Sequence, residues 1–182
     1  ALDIREWPVA SGGRTETTRL AVNHTGTDAQ VTEYTVLSKR VVDEMAAVFG
    51  ELPAFDFGTY TFLACYRSNC AGDGMEHRNS TVLTSSRSLE DPLGNIGTLA
   101  HEFFHAWNVE RIRPRSLEPF DFEGANLSGE LWFAEGFTSY YDDLTLKRAS
   151  IIDLDRYARD ITGSLDVIVN APGRRIFSPV EM

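Results

Sequence analysis

Residues 101–108 read HEFFHAWN, with two histidines four positions apart and a glutamate beside the first. On an α-helix such positions stand one turn apart on one face, so His101 and His105 converge on one point. Zinc takes neutral imidazole nitrogens readily, and a catalytic zinc uses three protein ligands plus one open position for water. Glu102 sits where its carboxylate reaches that water without binding the metal. A bound zinc brings the pKa of water down to about 7, so a carboxylate can take its proton at neutral pH. The competing reading is a pair of core or surface histidines that share a helix face. A third ligand decides between them, and the fold must bring it from elsewhere in the chain.

The third ligand is not the histidine of an H-E-x-x-H-x-x-G-x-x-H run. Asn108 stands where that pattern has glycine, and position 111 is Arg111. The best candidate is Glu135 in LWFAEGFTSYYDDL, a carboxylate between Phe133 and Phe137 in an otherwise apolar and aromatic helical stretch. An ionised carboxylate in such company is costly unless paired or metal-bound. The expected zinc ligands are therefore His101, His105 and Glu135, with Glu102 as the catalytic base.

The rest of the chain fits one domain of α+β class. With 182 residues it is long enough for a core and short for two ordinary domains. Short β-leaning pieces precede Thr25. Val31, Tyr34, Leu37, Val41, Met45 and Val48 then recur at three- and four-residue steps, a helix stripe capped near Thr27 and stopped at Gly50. GTYTFLACYR (58–67) reads as a strand, and MEHRNSTVLT (75–84) as a second one. Helices are expected over 95–108, 131–148 and about 153–169. Strands first and helices later give a mixed part over about 1–92 and a helical, zinc-binding part over about 93–182.

Charge narrows the partners. The formal net charge is −10, which argues against nucleic acid and anionic membranes. The run Arg111, Arg113, Arg115 reads as a solvated turn. No stretch is long and apolar enough to span a membrane. Cys65 and Cys70, the only cysteines, are either a small-loop disulfide or two thiols, so the compartment stays open.

HEFFHAWN followed by LWFAEGFTSYYDDL resembles the gluzincin metallopeptidases. More narrowly, HAWNVERIRP and WFAEGFTSYY are similar to the glycyl aminopeptidase family, from roughly Phe57 to the end. The resemblance implies a thermolysin-like zincin domain, usually followed by a PDZ domain, with a small sheet whose edge strand precedes the zinc helix. It also implies Zn²⁺ on His101, His105 and Glu135, with Glu102 as proton shuttle. GDGMEHRNS adds a second likeness, to the G-x-M-E-N segment whose glutamate holds a substrate's free amino terminus. Gly74, Met75 and Glu76 match it, and His77 stands where asparagine is usual. His77 reads as an ordinary polar residue. An exposed strand edge can pair with a peptide backbone, and a carboxylate there can bind its ammonium.

The family's oxyanion-stabilising tyrosine is expected beyond Met182. Tyr140 and Tyr141, on the Glu135 helix, read as packing residues, and the chain reads as a fragment. The expected function is a zinc aminopeptidase core acting on peptides with free N-termini, removing small first residues such as glycine or alanine. The alternatives are a zinc endopeptidase or other hydrolase, and a non-catalytic zinc-stabilised peptide-binding module.

Overall fold

The computed structural model describes residues 1–121, 123–178 and 180. Leu2–Ser11 (β1) and Arg14–His24 (β2) pair antiparallel as one long hairpin around Gly12 and Gly13. The β-leaning pieces of the N-terminus are therefore two continuous strands with SGGR as their turn. Thr27 then caps Asp28–Phe49 (α1). Its hydroxyl accepts from the Gln30 amide, while the Gln30 side chain accepts from the Thr27 amide. Gly50 ends the helix at φ 86°, a left-handed conformation that glycine adopts without strain.

Thr59–Tyr66 (β3) lies parallel to β2, as a crossover through α1 allows. The segment expected as one strand over 75–84 is two. Asp73–His77 (β4) and Ser80–Ser85 (β5) form a hairpin through Arg78 and Asn79. Both turn residues are tied to Asp56: Arg78 Nε and Asn79 Nδ2 donate to its carboxylate at 2.8 and 3.0 Å. That long-range anchor makes a turn where the sequence offers no glycine. β5 pairs parallel with β3, giving the order β1-β2-β3-β5-β4 with β4 at an edge.

One face of the sheet is apolar. Leu20, Val22, Phe62, Tyr66 and Leu83 are buried against α1 and the zinc-motif helix Leu93–Phe104 (α2). Phe103 of α2 meets Tyr60 and Phe62 of β3 at 5.0 and 5.3 Å between ring centroids, so aromatic contacts fix α2 on the sheet. The Tyr34 and Tyr66 hydroxyls hydrogen-bond each other at 2.7 Å in the core.

After α2 the described residues form helices and loops. Leu131–Ala134 (α3), Gly136–Arg148 (α4) and Leu154–Asn170 (α5, capped by the Asp153 side chain) follow. The expected helix over 131–148 is thus interrupted at Glu135 (φ −99°, ψ −40°). α2 likewise stops at Phe104, four residues short of the expected end at Asn108. The chain continues in wider turns, with the amides of Glu110 and Ile112 bonding to carbonyls five residues back. Cys65 and Cys70 are joined as a disulfide. Pro179, Glu181 and Met182 lie outside the described residues, as does Phe122.

Candidate metal centre and cleft

The two helix interruptions are tied together by Asn108. Asn108 is buried, and its Nδ2 donates to the carbonyls of Phe133 and Ala134 at 3.1 and 3.2 Å and to the Thr138 hydroxyl at 3.3 Å. These bonds pin the α3–α4 joint against the end of α2. The joint residue is Glu135. Its Oε2 lies 3.3 Å from His101 Nε2 and 3.7 Å from His105 Nε2, and the two Nε2 atoms are 3.3 Å apart.

These separations suit a metal. A tetrahedral ion with bonds of about 2.0–2.1 Å holds its ligand atoms about 3.3–3.4 Å apart. The tautomers suit it as well. His101 Nδ1 faces Asp142 Oδ2 at 2.9 Å, and His105 Nδ1 faces the Asn108 carbonyl at 2.6 Å. Both partners accept only, so both Nδ1 atoms carry hydrogen, and the Nε2 lone pairs converge on the gap beside Glu135. Two lone pairs and a carboxylate oxygen facing one another call for a cation between them.

Without a metal, a proton serves. Burial disfavours charge on His101, but hydrogen bonds to Asp142 and Glu135 outweigh it and raise its pKa to about 10. The His101 hydrogen bond in turn holds Glu135 below the usual carboxylate range, against an opposing effect of burial. The Glu135 side chain is 47% exposed, so its position between two phenylalanines does not bury it as the sequence implied. Its partner imidazoles, rather than apolar walls, account for its place.

Glu102 is 6% exposed, and its Oε2 is buried without a hydrogen-bond partner among the described residues. Burial pushes its pKa up to about 7; His101 pulls it down, while Glu76, Glu135 and Asp73 add to the rise. Its carboxyl group lies directly against the backbone of β4. A Cβ on Gly74 would stand 2.6 Å from Glu102 Cδ, so only glycine permits this approach. Glu76, two residues along the same edge strand, brings a carboxylate oxygen within 4.8 Å of ligand atoms of Glu102 and His105. Met75 and His77 alternate with it and are exposed.

The structure therefore gathers His101, Glu102, His105, Glu135, Glu76 and Gly74 in one place, and leaves Met75 and His77 on the outer side of the strand. Tyr141 packs as expected, stacked on Phe104 at 5.2 Å, but Tyr140 is largely exposed. Asp142 and Asn108 belong to the site although sequence reasoning did not single them out. Asp142 stands seven residues, or two helical turns, after Glu135, and that spacing was a usable signal. Beside Glu102 a cleft of about 630 Å³ opens between the start of β4, the end of β5 and the outer face of α2.

Residues 94–182 match the family described as M61 glycyl aminopeptidase. No curated protein matches the chain. Among solved structures, the chain is similar to the crystal structure of an aminopeptidase N family protein from Idiomarina loihiensis. The two are 32% identical with a TM-score of 0.68, over 85% of this chain and 27% of that one. This chain thus spans about a quarter of the length of that relative. From Gly94 onward the chain is similar to the M61 glycyl aminopeptidase family, and its fold resembles that of the aminopeptidase N family protein.

Proposed function

We propose that the chain is the zinc-binding core of a thermolysin-like aminopeptidase. In this reading, residues 1–182 are one catalytic unit: the sheet part offers an edge strand for the substrate, and the helical part offers the metal ligands. What carries the reading is the convergence of His101 Nε2, His105 Nε2 and Glu135 Oε2 at 3.3–3.7 Å beside a buried, unpartnered carboxylate. Zinc held by those three side chains would polarise the scissile carbonyl and make water acidic enough to react at neutral pH.

The chain's own residues supply the remaining chemistry. Glu102, held near neutrality by burial, takes a proton from the attacking water and hands it to the departing amine nitrogen. The β4 edge pairs with the substrate backbone, and glycine at position 74 lets that strand lie close to Glu102. Glu76 binds the α-ammonium, so the first peptide bond is the one presented. A small first residue, glycine or alanine, follows from the family likeness.

The test is zinc per chain after extensive dialysis, for the parent, Glu135→Ala and Glu102→Gln, with hydrolysis of glycyl peptides followed alongside. About one zinc in the parent and in Glu102→Gln, a large loss in Glu135→Ala, and no turnover by Glu102→Gln are expected. Wild-type turnover by Glu102→Gln would sink the role given to that residue. Equal cleavage of N-acetylated peptides would replace the aminopeptidase with an endopeptidase.

A further inference from the structure

The cleft beside Glu102 has two chemically different ends. At one end stand His101, Glu102 and Asp142; at the other stands Arg87, the only lysine or arginine that lines it among the described residues. Arg87 Nη1 donates to the Gly94 carbonyl at 3.0 Å, and its guanidinium is in no ion pair among the described residues. Gly94 is what lets the side chain lie against α2: a Cβ there would meet Asp91 Oδ2 at 2.6 Å and Arg87 Cδ and Nη1 at 3.0 Å, so a carboxylate stands near the guanidinium although outside ion-pair distance. The hydroxyls of Ser86 and Thr98 line the same end. In a chain of net charge −10, an exposed guanidinium at one end of a polar cleft, outside any ion pair among the described residues, can receive an anion.

The direction of the substrate says which anion. β4 runs from Asp73 to His77, and Gly72, Asp73 and Gly74 line this cleft, whereas Glu76 lines a separate groove further along the strand. A peptide whose ammonium sits at Glu76 must send everything after its first bond toward Arg87. Gly94 precedes His101 by seven residues of α2, which is about 10 Å along the helix axis. An extended peptide covers that in about three residues, at roughly 3.3–3.6 Å each.

We propose that Arg87 binds the C-terminal carboxylate of short peptides, and so makes this chain selective for free tripeptides and tetrapeptides rather than for the N-termini of long chains. The inference rests on the aminopeptidase reading for the direction of the substrate. Arg87 is a specificity residue: it touches the end of the substrate and takes no part in bond cleavage.

The experiment is calorimetric binding of glycyl-alanyl-alanine, as free acid and as C-terminal amide, to the zinc-loaded chain carrying Glu102→Gln. The free acid is expected to bind on the order of tenfold more tightly than the amide, as for a charge-assisted guanidinium–carboxylate contact. Arg87→Ala in the same background should make the two peptides equal, and Arg87→Lys should keep part of the difference. Equal binding of acid and amide with Arg87 present would overturn the proposal, as would a preference that survives Arg87→Ala, or no binding of either peptide. N-acetylated glycyl-alanyl-alanine separates this from the reading beneath it. If acetylation leaves affinity unchanged while the acid-over-amide preference persists, Glu76 is not the ammonium anchor and Arg87 stands.

Discussion

His101 Nδ1 and Asp142 Oδ2 are 2.9 Å apart, and this contact sets which nitrogen of His101 faces the metal gap. Asp142 is mostly buried on α4, so the contact also ties the imidazole to the helix that begins at Glu135. Removing such a partner from a zinc-bound histidine costs roughly 10–100-fold in metal affinity. Asp142→Ala is therefore expected to weaken zinc by that factor. Asp142→Asn should cost less, because its amide oxygen still accepts from Nδ1. Competition with a chromogenic chelator reads both values, and wild-type affinity in Asp142→Ala would remove the residue from the site.

Zinc binding should also be coupled to pH. In the metal-free protein burial works against a charged His101, yet its two carboxylate partners keep the ring protonated up to about pH 10. Zinc must displace that proton. The sign follows: a raised pKa means the proton competes more strongly at low pH, so zinc affinity falls as pH falls. Between about pH 7 and 9 the apparent affinity should change about tenfold per pH unit, one proton being released for each zinc bound. Calorimetry in two buffers of different ionisation enthalpy counts that proton. A release near zero at pH 7 would mean that His101 is already neutral in the metal-free chain.

Much of this site was legible in the sequence because its parts are local. Histidines four apart must share a helix face, and Thr27, Gln30 and Gly50 mark the ends of α1 by their own chemistry. What could not be read is what depends on distant partners. Arg78–Asn79 is a turn because Asp56 holds it, and nothing between residues 75 and 84 announces a break. The joint at Glu135 likewise sits against an asparagine 27 residues earlier, which donates to the carbonyls just before it. The argument that led to Glu135, a charge stranded among aromatic residues, does not describe its surroundings: the side chain is half-exposed and faces the two histidines.

Asn108 gives the next prediction. Its side chain ties the end of α2 to the α3–α4 joint through donated hydrogen bonds. Asn108→Ala keeps the carbonyl that accepts from His105 Nδ1 and removes only the side chain. Two buried carbonyls then lose a donor, a loss of roughly 1–3 kcal/mol. For a chain of this size that lowers Tm by several degrees, at about 2–4 °C per kcal/mol. Because the same bonds position Glu135, zinc affinity should drop together with Tm. A lower Tm with unchanged zinc affinity would show that Glu135 is placed by something else.

The closest approach in the site concerns Gly74, and it yields a prediction that separates catalysis from metal binding. Gly74 sits on the edge strand, and its missing side chain leaves room for the Glu102 carboxyl group. Gly74→Ala would put a methyl group 2.8 Å from Glu102 Cγ and nearer still to the carboxylate, so either β4 or Glu102 must move. The three side chains proposed to hold zinc lie on and just past α2 and at the α3–α4 joint, away from that methyl group, and metal content should stay at the parent value. Glu102, displaced by about an ångström, would be out of line with both water and leaving amine. A displacement of that size costs on the order of 100-fold in turnover. The expected signature is full zinc occupancy, a small change in Tm and a kcat reduced by about two orders of magnitude. Parent kcat in Gly74→Ala would mean that β4 yields without cost, and that the close contact between the strand and Glu102 has no part in catalysis.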